Sequence, residues 1–242
     1  MIKIKNAEIM GWEHTIRGMR NPMNSWNKSD SGICKGGDDG IGCDNCANQM
    51  VCKHAYNHSW QLGKADHELM MKLAKAGSVH GKFRRMITVY VDITAPLYWW
   101  KEFDTYKVGT VANYCSTMHK IHTKEFALDD FSCEHLTDAS KKALSYIIDE
   151  LNMSRERYLD YDELPECTKD KLNKKYPQFK KDIWWQMIQL LPSSYNQKRT
   201  VMLNYEVLSN IYQYRREHKL DEWREFCQWI EDLPYSEIIT LA

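Results

Sequence analysis

The stretch FRRMITVYVDITAPLYWWKEFDTYKVGTVANYCSTMHK, residues 83–120, decides the fold. Its first part alternates β-branched and aromatic residues from Met86 to Ile93, a pattern that predicts a β-strand. Pro96 ends this strand, because proline has no N–H to donate to a sheet and favours the first turn of a helix. The aromatic run that follows, from Leu97 to Lys107, has apolar residues about one turn apart and predicts a short helix.

A polar loop follows this predicted helix, from Val108 to Met118, and two basic residues close it. Hydroxyl, amide and ammonium groups are the donors that bind a phosphate or another anion. Polar loops are also common features that contact only water, so composition leaves both interpretations open. The candidate anion-binding residues of the loop are Thr110, Asn113, Cys115, Ser116, Thr117, His119 and Lys120.

Charge and hydropathy exclude several classes of protein. The chain has 242 residues, and its 33 Lys and Arg residues equal its 33 Asp and Glu residues, so no net field favours a nucleic-acid polymer or an anionic membrane. No apolar run reaches the roughly 20 residues that cross a bilayer, and the N-terminus lacks the apolar stretch of a signal peptide. We therefore expect a cytoplasmic protein, whose eight cysteines stay reduced or bind a metal ion.

Residues 27–60 form a cysteine-rich segment that we interpret as an insertion. Cys43 and Cys46 form a C-x-x-C pair, from which two thiolates reach one metal ion. The whole spacing, C-x8-C-x2-C-x5-C from Cys34 to Cys52, is not that of a standard zinc finger. It predicts a structural site of Cys34, Cys43, Cys46 and Cys52 that holds zinc or an iron–sulfur cluster. Ordinary reduced cysteines and a redox-active pair are the alternatives.

Apolar residues recur at helical spacing through much of the remaining chain. Asp66 is the expected N-cap of the first such helix, and the lysine-rich stretch 165–176 should be a solvated helix, since acidic residues interleave with its lysines. The predicted helices cover residues 65–76, 137–151 with a continuation to 162, 165–176, 183–191, a stretch ending at 215, and 221–233. Further extended segments are predicted at residues 2–4, 8–12 and 200–204.

Two arginines near the N-terminus, Arg17 and Arg20, lie one helical turn apart, and Ser25 follows them. Their spacing is consistent with phosphate binding. It is equally consistent with a solvated helix face.

Residues 83–120 resemble the core motif of the flavin-dependent thymidylate synthases, the ThyX family. In that family a strand leads through Ala-Pro into a helix that ends in Arg-His-Arg. Ala95 and Pro96 match this motif, and the intervening helix has the family length. Thr105-Tyr106-Lys107 occupies the Arg-His-Arg position. The segment is also similar to a phage and Firmicutes branch of the superfamily.

The loop after the helix departs from the family pattern. Thr110 stands at the position of the first loop serine. Asn113, Cys115 and Thr117 replace a glutamate, a serine and an arginine of the family loop. The framework therefore resembles the family, whereas the signature side chains differ.

The C-terminal half resembles the same family. A Leu-Pro step at Leu191 leads to a strand ending in Asn204 and to a helix that bears Asn210 and Arg215, in the family order. In the family, residues at the two asparagine positions contact the flavin. The arginine at the Arg215 position contacts the pyrimidine base and activates it.

Other positions depart from the family in charge. His80 lies close to a family histidine that contacts the flavin, but Arg84 and Arg85 stand where the family has a glutamate with the same role. Ile188 and Glu206 both replace family arginines.

The resemblance implies an α+β, ThyX-like fold: a central, mostly antiparallel sheet flanked by helices, with the cysteine-rich loop insertion, in a single domain of residues 1–242. It also implies a homotetramer with FAD, methylenetetrahydrofolate and NADPH as partners in chemistry at C5 of dUMP. Arg215 is the implied catalytic residue, and Tyr106 or Trp99 would stack on the base. The implied nucleotide-binding residues are Lys107, Thr110, Asn113, Cys115, Ser116, Thr117, His119, Lys120 and Arg215. The implied cofactor-binding residues are His80, Tyr106, Lys107, Asn204 and Asn210.

Three functions fit this pattern. The leading hypothesis is a pyrimidine-nucleotide-binding protein that transfers a one-carbon unit to dUMP with FAD. A non-catalytic protein that sequesters or senses a nucleotide is the second, because signature residues are replaced. The third is an enzyme that modifies a pyrimidine nucleotide with a different one-carbon unit or cofactor.

Overall fold

A computed structural model describes residues 2–34, 46–47 and 60–241. The strands are β1 (Lys3–Met10), β2 (Gly32–Ile33), β3 (Trp60–Gln61), β4 (Thr88–Pro96), β5 (Val111–Tyr114) and β6 (Asn196–Asn204). The helices are α1 (Trp12–Arg20), α2 (Lys64–Lys75), α3 (Leu97–Phe103), α4 (Thr117–Lys120), α5 (Asp138–Glu163), α6 (Glu166–Lys175), α7 (Phe179–Leu190), α8 (Tyr205–Arg215), α9 (Asp221–Glu231) and α10 (Glu237–Thr240). A 3-10 helix at Gly81–Met86 leads into β4.

The main sheet has four strands in the order β1-β4-β6-β5, and the architecture is the expected α+β arrangement of an antiparallel sheet with helices. Alternate residues of β4, from Val89 to Ala95, are buried, as the period of two in the sequence predicts. A smaller two-stranded sheet pairs β2 with β3, with Gly32 opposite Gln61 and Ile33 opposite Trp60.

The chain divides into two compact units. The first comprises residues 1–5, 92–105 and 112–200, and the second comprises residues 6–91, 106–111 and 201–242. In the first unit, the long helix α5 packs on α7. Their shared core contains Leu144, Ile148, Leu151 and Met187, together with Phe126 and Phe131 from the preceding connection.

The second unit is built around α8, most of which is buried. The 3-10 helix at Gly81–Met86, α9 and α10 pack against it. Two buried ion pairs, Arg20 with Asp66 and Arg84 with Glu206, lie within this unit. Since buried charges without a partner are strongly unfavourable, each residue of these pairs requires its counter-ion to stay buried.

Several sequence predictions differ from the structure in detail. The polar loop after α3 contains a strand, β5, because its backbone pairs within the sheet, a non-local contact that local propensity does not reveal. Asp66 is not the N-cap of α2, which starts after Gly63. The two extended segments predicted at residues 2–4 and 8–12 form one strand, β1, with α1 starting at Trp12.

The other predicted helices are present, but α3 ends at Phe103 and not at Lys107 as predicted. Helix α5 spans Asp138–Glu163 and is capped by Thr137. The lysine-rich α6 has no buried residue, as predicted. Within the described part of the chain, no helix combines the length and the apolarity needed to span a bilayer.

Candidate functional site

A cavity of about 280 Å³ in the first unit gathers part of the predicted anion-binding loop. Cys115, Ser116, Thr117 and Lys120 line it. The Ser116 hydroxyl accepts a hydrogen bond from the backbone N–H of His119, which leaves its own proton available to donate. His119 and Asn113 are exposed and do not line this cavity.

Lysines that the sequence analysis missed complete the cavity. Lys124 lies 2.6 Å from Asp130, and Lys198, which extends from β6, lies 2.9 Å from Asp92. The hydrogen bond from Lys198 to Asp92 raises the pKa of this ammonium, so Lys198 stays charged. Lys120 has no acidic partner among the residues that the structure describes. Lys120 therefore carries the positive charge that favours an anion in this cavity.

The backbone of Cys115 is held in place by β6. Its N–H donates to the carbonyl of Lys198, and its carbonyl accepts from Gln197 Nε2 at 3.0 Å. Gln197 in turn accepts from Arg199 Nε at 3.0 Å, and Arg199 also donates to Asp104. The guanidinium of Arg199 lies 4.1 Å above the ring of Trp100, a cation–π contact. This buried chain of contacts fixes the cavity wall. In the sequence, the polar residues at the inward positions of β6 were the signal that could have indicated this wall.

Arg215, the predicted base-reading residue, belongs to the second unit. Its Nε donates to the hydroxyl of Tyr106 at 3.0 Å, and its guanidinium lies 4.8 Å from the ring of the fully buried Trp223. Arg215 is therefore ordered by aromatic contacts before any ligand binds, which favours recognition through a fixed planar donor. Tyr106 also packs edge-on against Trp223.

The two asparagines that the resemblance assigns to cofactor binding behave differently. The side chain of Asn204 caps α8 by accepting from the N–H of Val207 at 3.0 Å, whereas Asn210 is exposed on the same helix. Gly109, with φ of +80°, lies so close to Asn204 that a Cβ there would come within 2.8 Å of its amide nitrogen. The adjacent Thr110 has a buried hydroxyl that finds no hydrogen-bond partner among the described residues.

Arg84 and Glu206, two of the departures from the family pattern, contact each other. Arg84 Nε lies 2.7 Å from Glu206 Oε2, and both residues are buried. Arg84 also donates to Ser209 Oγ and to the carbonyl of Ile238. Its guanidinium is thus fully engaged by protein groups. Among the remaining flavin candidates, His80 and Lys107 are exposed.

Two of the described residues are not available for ligand chemistry. Trp99 is completely buried and stacks on Phe103, so it does not present a face to a base, contrary to one of the two stacking predictions. Burial raises the pKa of the Cys227 thiol to about 12, which makes this cysteine an inert packing residue.

The predicted metal site is only partly within the described residues. Cys34 and Cys46 are buried and unpaired with each other, while Cys43 and Cys52 lie outside the described residues. Across residues 2–34, 46–47 and 60–241, no group of three or more His, Cys, Asp or Glu side chains is placed to hold a metal ion. The four-cysteine site stays a prediction.

We expect protein purified without oxygen to contain one zinc ion per chain, because four thiolates satisfy its tetrahedral preference. Elemental analysis checks the content. Cys46→Ser should lower the zinc content to well below one per chain, whereas Cys167→Ser, at an exposed cysteine of α6, should not change it. Wild-type protein free of zinc and iron would contradict the prediction.

Solved structures of the flavin-dependent thymidylate synthase ThyX from Helicobacter pylori, complexed with FAD and dUMP, are similar to this chain. One has a TM-score of 0.57 at 13% sequence identity, covering 99% of this chain and 97% of that chain. The chain has a ThyX-like fold. A second structure of that enzyme, also with FAD and dUMP, has a TM-score of 0.57 at 12% identity and covers 98% of this chain and 96% of that chain.

The structural similarity agrees with the motif resemblance in the sequence, although whole-chain sequence comparisons find no match. No protein-family model matches the chain, and no curated protein is significantly similar to it. The coverage of nearly the whole length of both chains means that the likeness concerns the complete architecture.

The residues fit FAD only in part. The Asn204 side-chain oxygen is used in a helix cap and Arg84 is used in an ion pair, while His80, Lys107 and Asn210 remain exposed.

Proposed function

We propose that this protein binds a pyrimidine nucleotide of the dUMP type. The observation that carries the proposal is the lysine- and hydroxyl-lined cavity of the first unit, formed by Cys115, Ser116, Thr117 and Lys120 with Lys124 and Lys198. A phosphate bound there would receive hydrogen bonds from the hydroxyls and charge from Lys120. The ThyX-like fold, seen in neighbours complexed with FAD and dUMP, supports the same ligand class.

More specifically, we propose that the protein transfers a one-carbon unit to C5 of dUMP. Arg215 would donate to the base and stabilise the charge that develops on it, since a preorganised cation is most effective in a partly buried setting. FAD would supply the redox chemistry of that reaction when bound, with methylenetetrahydrofolate and NADPH as co-substrates. In this form of the proposal, the chain would be a single domain over residues 1–242 and would assemble into a homotetramer. It would belong to the phage and Firmicutes branch of the superfamily.

Non-catalytic nucleotide binding is the second candidate. The contact between Arg84 and Glu206 favours it, because a closed ion pair at two altered positions offers no free group to a flavin. A protein that sequesters or senses a nucleotide needs the phosphate and base contacts alone.

Calorimetric titration with dUMP tests the proposal. Lys120→Ala should weaken binding by about 1.5–3 kcal/mol, the range for a hydrogen bond to a charged group, and the loss should shrink at high salt because exposed charges are screened. Arg215→Ala should cost a similar amount through the base. Lys142→Ala, an exposed lysine of α5, is the matched control and should bind like wild type.

Absence of dUMP binding by wild type, or unchanged affinity in both Lys120→Ala and Arg215→Ala, would overturn the nucleotide site. Absorption spectroscopy of the purified protein then separates the two candidates. A flavin band, or uptake of added FAD, supports the transferase. Colourless protein that binds dUMP but takes up no FAD supports the non-catalytic protein.

A further inference from the structure

A second polar cavity, of about 250 Å³, lies against one face of α1 in the second unit. Arg17 and Arg20, one helical turn apart, contribute to it from that face. Trp26 and Trp60 line it as well, and no residue of the nucleotide cavity takes part. The combination of two indoles with two guanidiniums is a binding chemistry that the proposed nucleotide site does not explain.

The indoles are held in place before a ligand arrives. Trp26 is 51% exposed, yet its Nε1 donates to Asn21 Oδ1 at 2.7 Å, which fixes the orientation of the ring. Trp60 is partly buried and stacks on Trp12 with 6.4 Å between the ring centroids. An exposed aromatic ring with a fixed orientation binds a planar ligand at a low cost in conformational entropy. The cavity therefore offers preorganised stacking surfaces.

Arg20 is the buried donor of the cavity, at 4% exposure. Its Nε donates to Asp66 at 2.5 Å and its Nη1 donates to the carbonyl of Ser25 at 3.2 Å. As a lining residue of the cavity, Arg20 can donate to a ligand with an acceptor oxygen.

Arg17 supplies the exposed charge. It approaches His14 Nδ1 at 2.8 Å, and no carboxylate among the described residues forms an ion pair with it. Glu13 lies on the same cavity and balances the charge of Arg17, so the cavity has no net positive charge. With Arg20 neutralised by Asp66, the cavity suits a ligand with one acid group and not a polyanion.

We propose that this cavity binds a small planar aromatic acid, with its ring against Trp26 or Trp60 and its carboxylate or phosphate on Arg17 and Arg20. The volume lies below the roughly 300–1,000 Å³ of typical pockets for drug-sized ligands, so a single ring system with one acid group fits and a dinucleotide does not. Ser29 Oγ, which donates to Asp66, keeps lone pairs that can accept a ring N–H.

Three compounds test the ligand class by calorimetry on the full-length protein: indole-3-carboxylate, phenyl phosphate and the uncharged indole-3-carboxamide. The carboxylate and the phosphate distinguish the two sources of the acid group. At least one acid should bind saturably, and the amide should bind at least tenfold more weakly than indole-3-carboxylate if the carboxylate is the group recognised. No saturable binding of either acid at millimolar concentration would overturn the proposal.

Two substitutions test the location. Trp26→Ala and Arg17→Gln should each weaken binding of the acid about tenfold or more, and both residues are exposed, so folding should persist. Trp185→Ala removes an exposed indole from α7 and should leave the affinity unchanged. Equal affinity in wild type and Trp26→Ala would overturn the site, and so would an equal loss in Trp185→Ala.

This inference stands apart from the nucleotide proposal. Trp26→Ala should bind dUMP like wild type, and Lys120→Ala should bind the aromatic acid like wild type. Competition between dUMP and the aromatic acid for one site would show that this cavity is not a separate site.

Discussion

Replacing Glu206 by Gln should lower the free energy of unfolding by about 3–5 kcal/mol, the range for breaking a buried ion pair. The substitution leaves Arg84 buried without its counter-ion, because both side chains are about one-tenth exposed. Arg84 also donates hydrogen bonds to Ser209 of α8 and to the carbonyl of Ile238 of α10, so it cannot turn towards solvent without breaking both. Urea unfolding, with the slope compared between variants, measures the loss.

A matched control comes from an exposed pair. Glu166→Gln removes the partner of Lys169 on α6, where the glutamate side chain is 83% exposed, and should cost less than about 1 kcal/mol. The double variant Arg84→Met/Glu206→Leu should recover much of the lost stability, since apolar replacement of a whole buried pair is often neutral. A loss below about 1 kcal/mol in Glu206→Gln would contradict the assigned role of the pair.

This pair changes the meaning of the departures from the ThyX motif. In sequence, Arg84 and Glu206 are two unrelated losses, one of a family acid and one of a family arginine. In the structure they form one contact, a buried ion pair. Removing either charge alone would leave a buried ion without a partner, so substitutions at the two positions should be energetically coupled. Such a coupling is invisible to motif comparison position by position.

Much of the fold could be predicted because its signals are local. The alternation in β4 and the apolar stripes of α5 and α9 are readable from neighbouring residues. The strand β5 could not be predicted, since its only support is pairing in the sheet. Asp66 illustrates the same limit. Its residue type suits a helix cap, but its carboxylate accepts a hydrogen bond from Arg20, which is distant in the sequence.

In the candidate site, too, the residues that could be predicted are close together in the sequence, and those that could not are distant. Cys115, Ser116, Thr117 and Lys120 are close in sequence, and the structure brings them to one cavity. Lys198 and the buried Gln197 and Arg199 come from a strand far along the chain, so composition of the loop gave no hint of them. Asn204 differs, because its contact is local. Its position at the end of a strand allows it to cap the next helix, and the structure shows this cap.

Replacing Asp66 by Asn should have a comparable effect at neutral pH, a loss of about 3–5 kcal/mol, and should also remove an acid-dependent part of the stability. Asp66 is completely buried, and Arg20 would keep its charge without a counter-ion. Oδ2 accepts from the hydroxyls of Ser29 and Ser31 at 2.7 and 2.6 Å and from the N–H groups of Asp30 and Ser31.

The sign of the pH dependence follows from these contacts. Burial acts to raise the pKa of the Asp66 carboxyl, but the hydrogen bonds from Ser31, Ser29 and Arg20 outweigh it and hold the pKa below its ordinary value of 3.8. A depressed pKa stabilises the fold fully above pH 3.8, and this stability is lost as the pH falls through the lower folded-state value. Wild-type protein should therefore lose stability in acid more steeply than Asp66→Asn.

The hydrogen-bond network itself can be tested with a milder change. Ser31→Ala removes one donor to Oδ2, so it should cost about 0.5–1.5 kcal/mol at neutral pH and should move the acid transition upward, because a carboxylate with fewer donors protonates more easily. Asp162→Asn, at an exposed pair with Lys180, is the matched control and should change neither quantity. Unfolding followed by circular dichroism across the acid range measures both. If Asp66→Asn kept the acid transition of wild type, the carboxylate that governs it would have to lie elsewhere, and the Arg20–Asp66 pair would lose its assigned role.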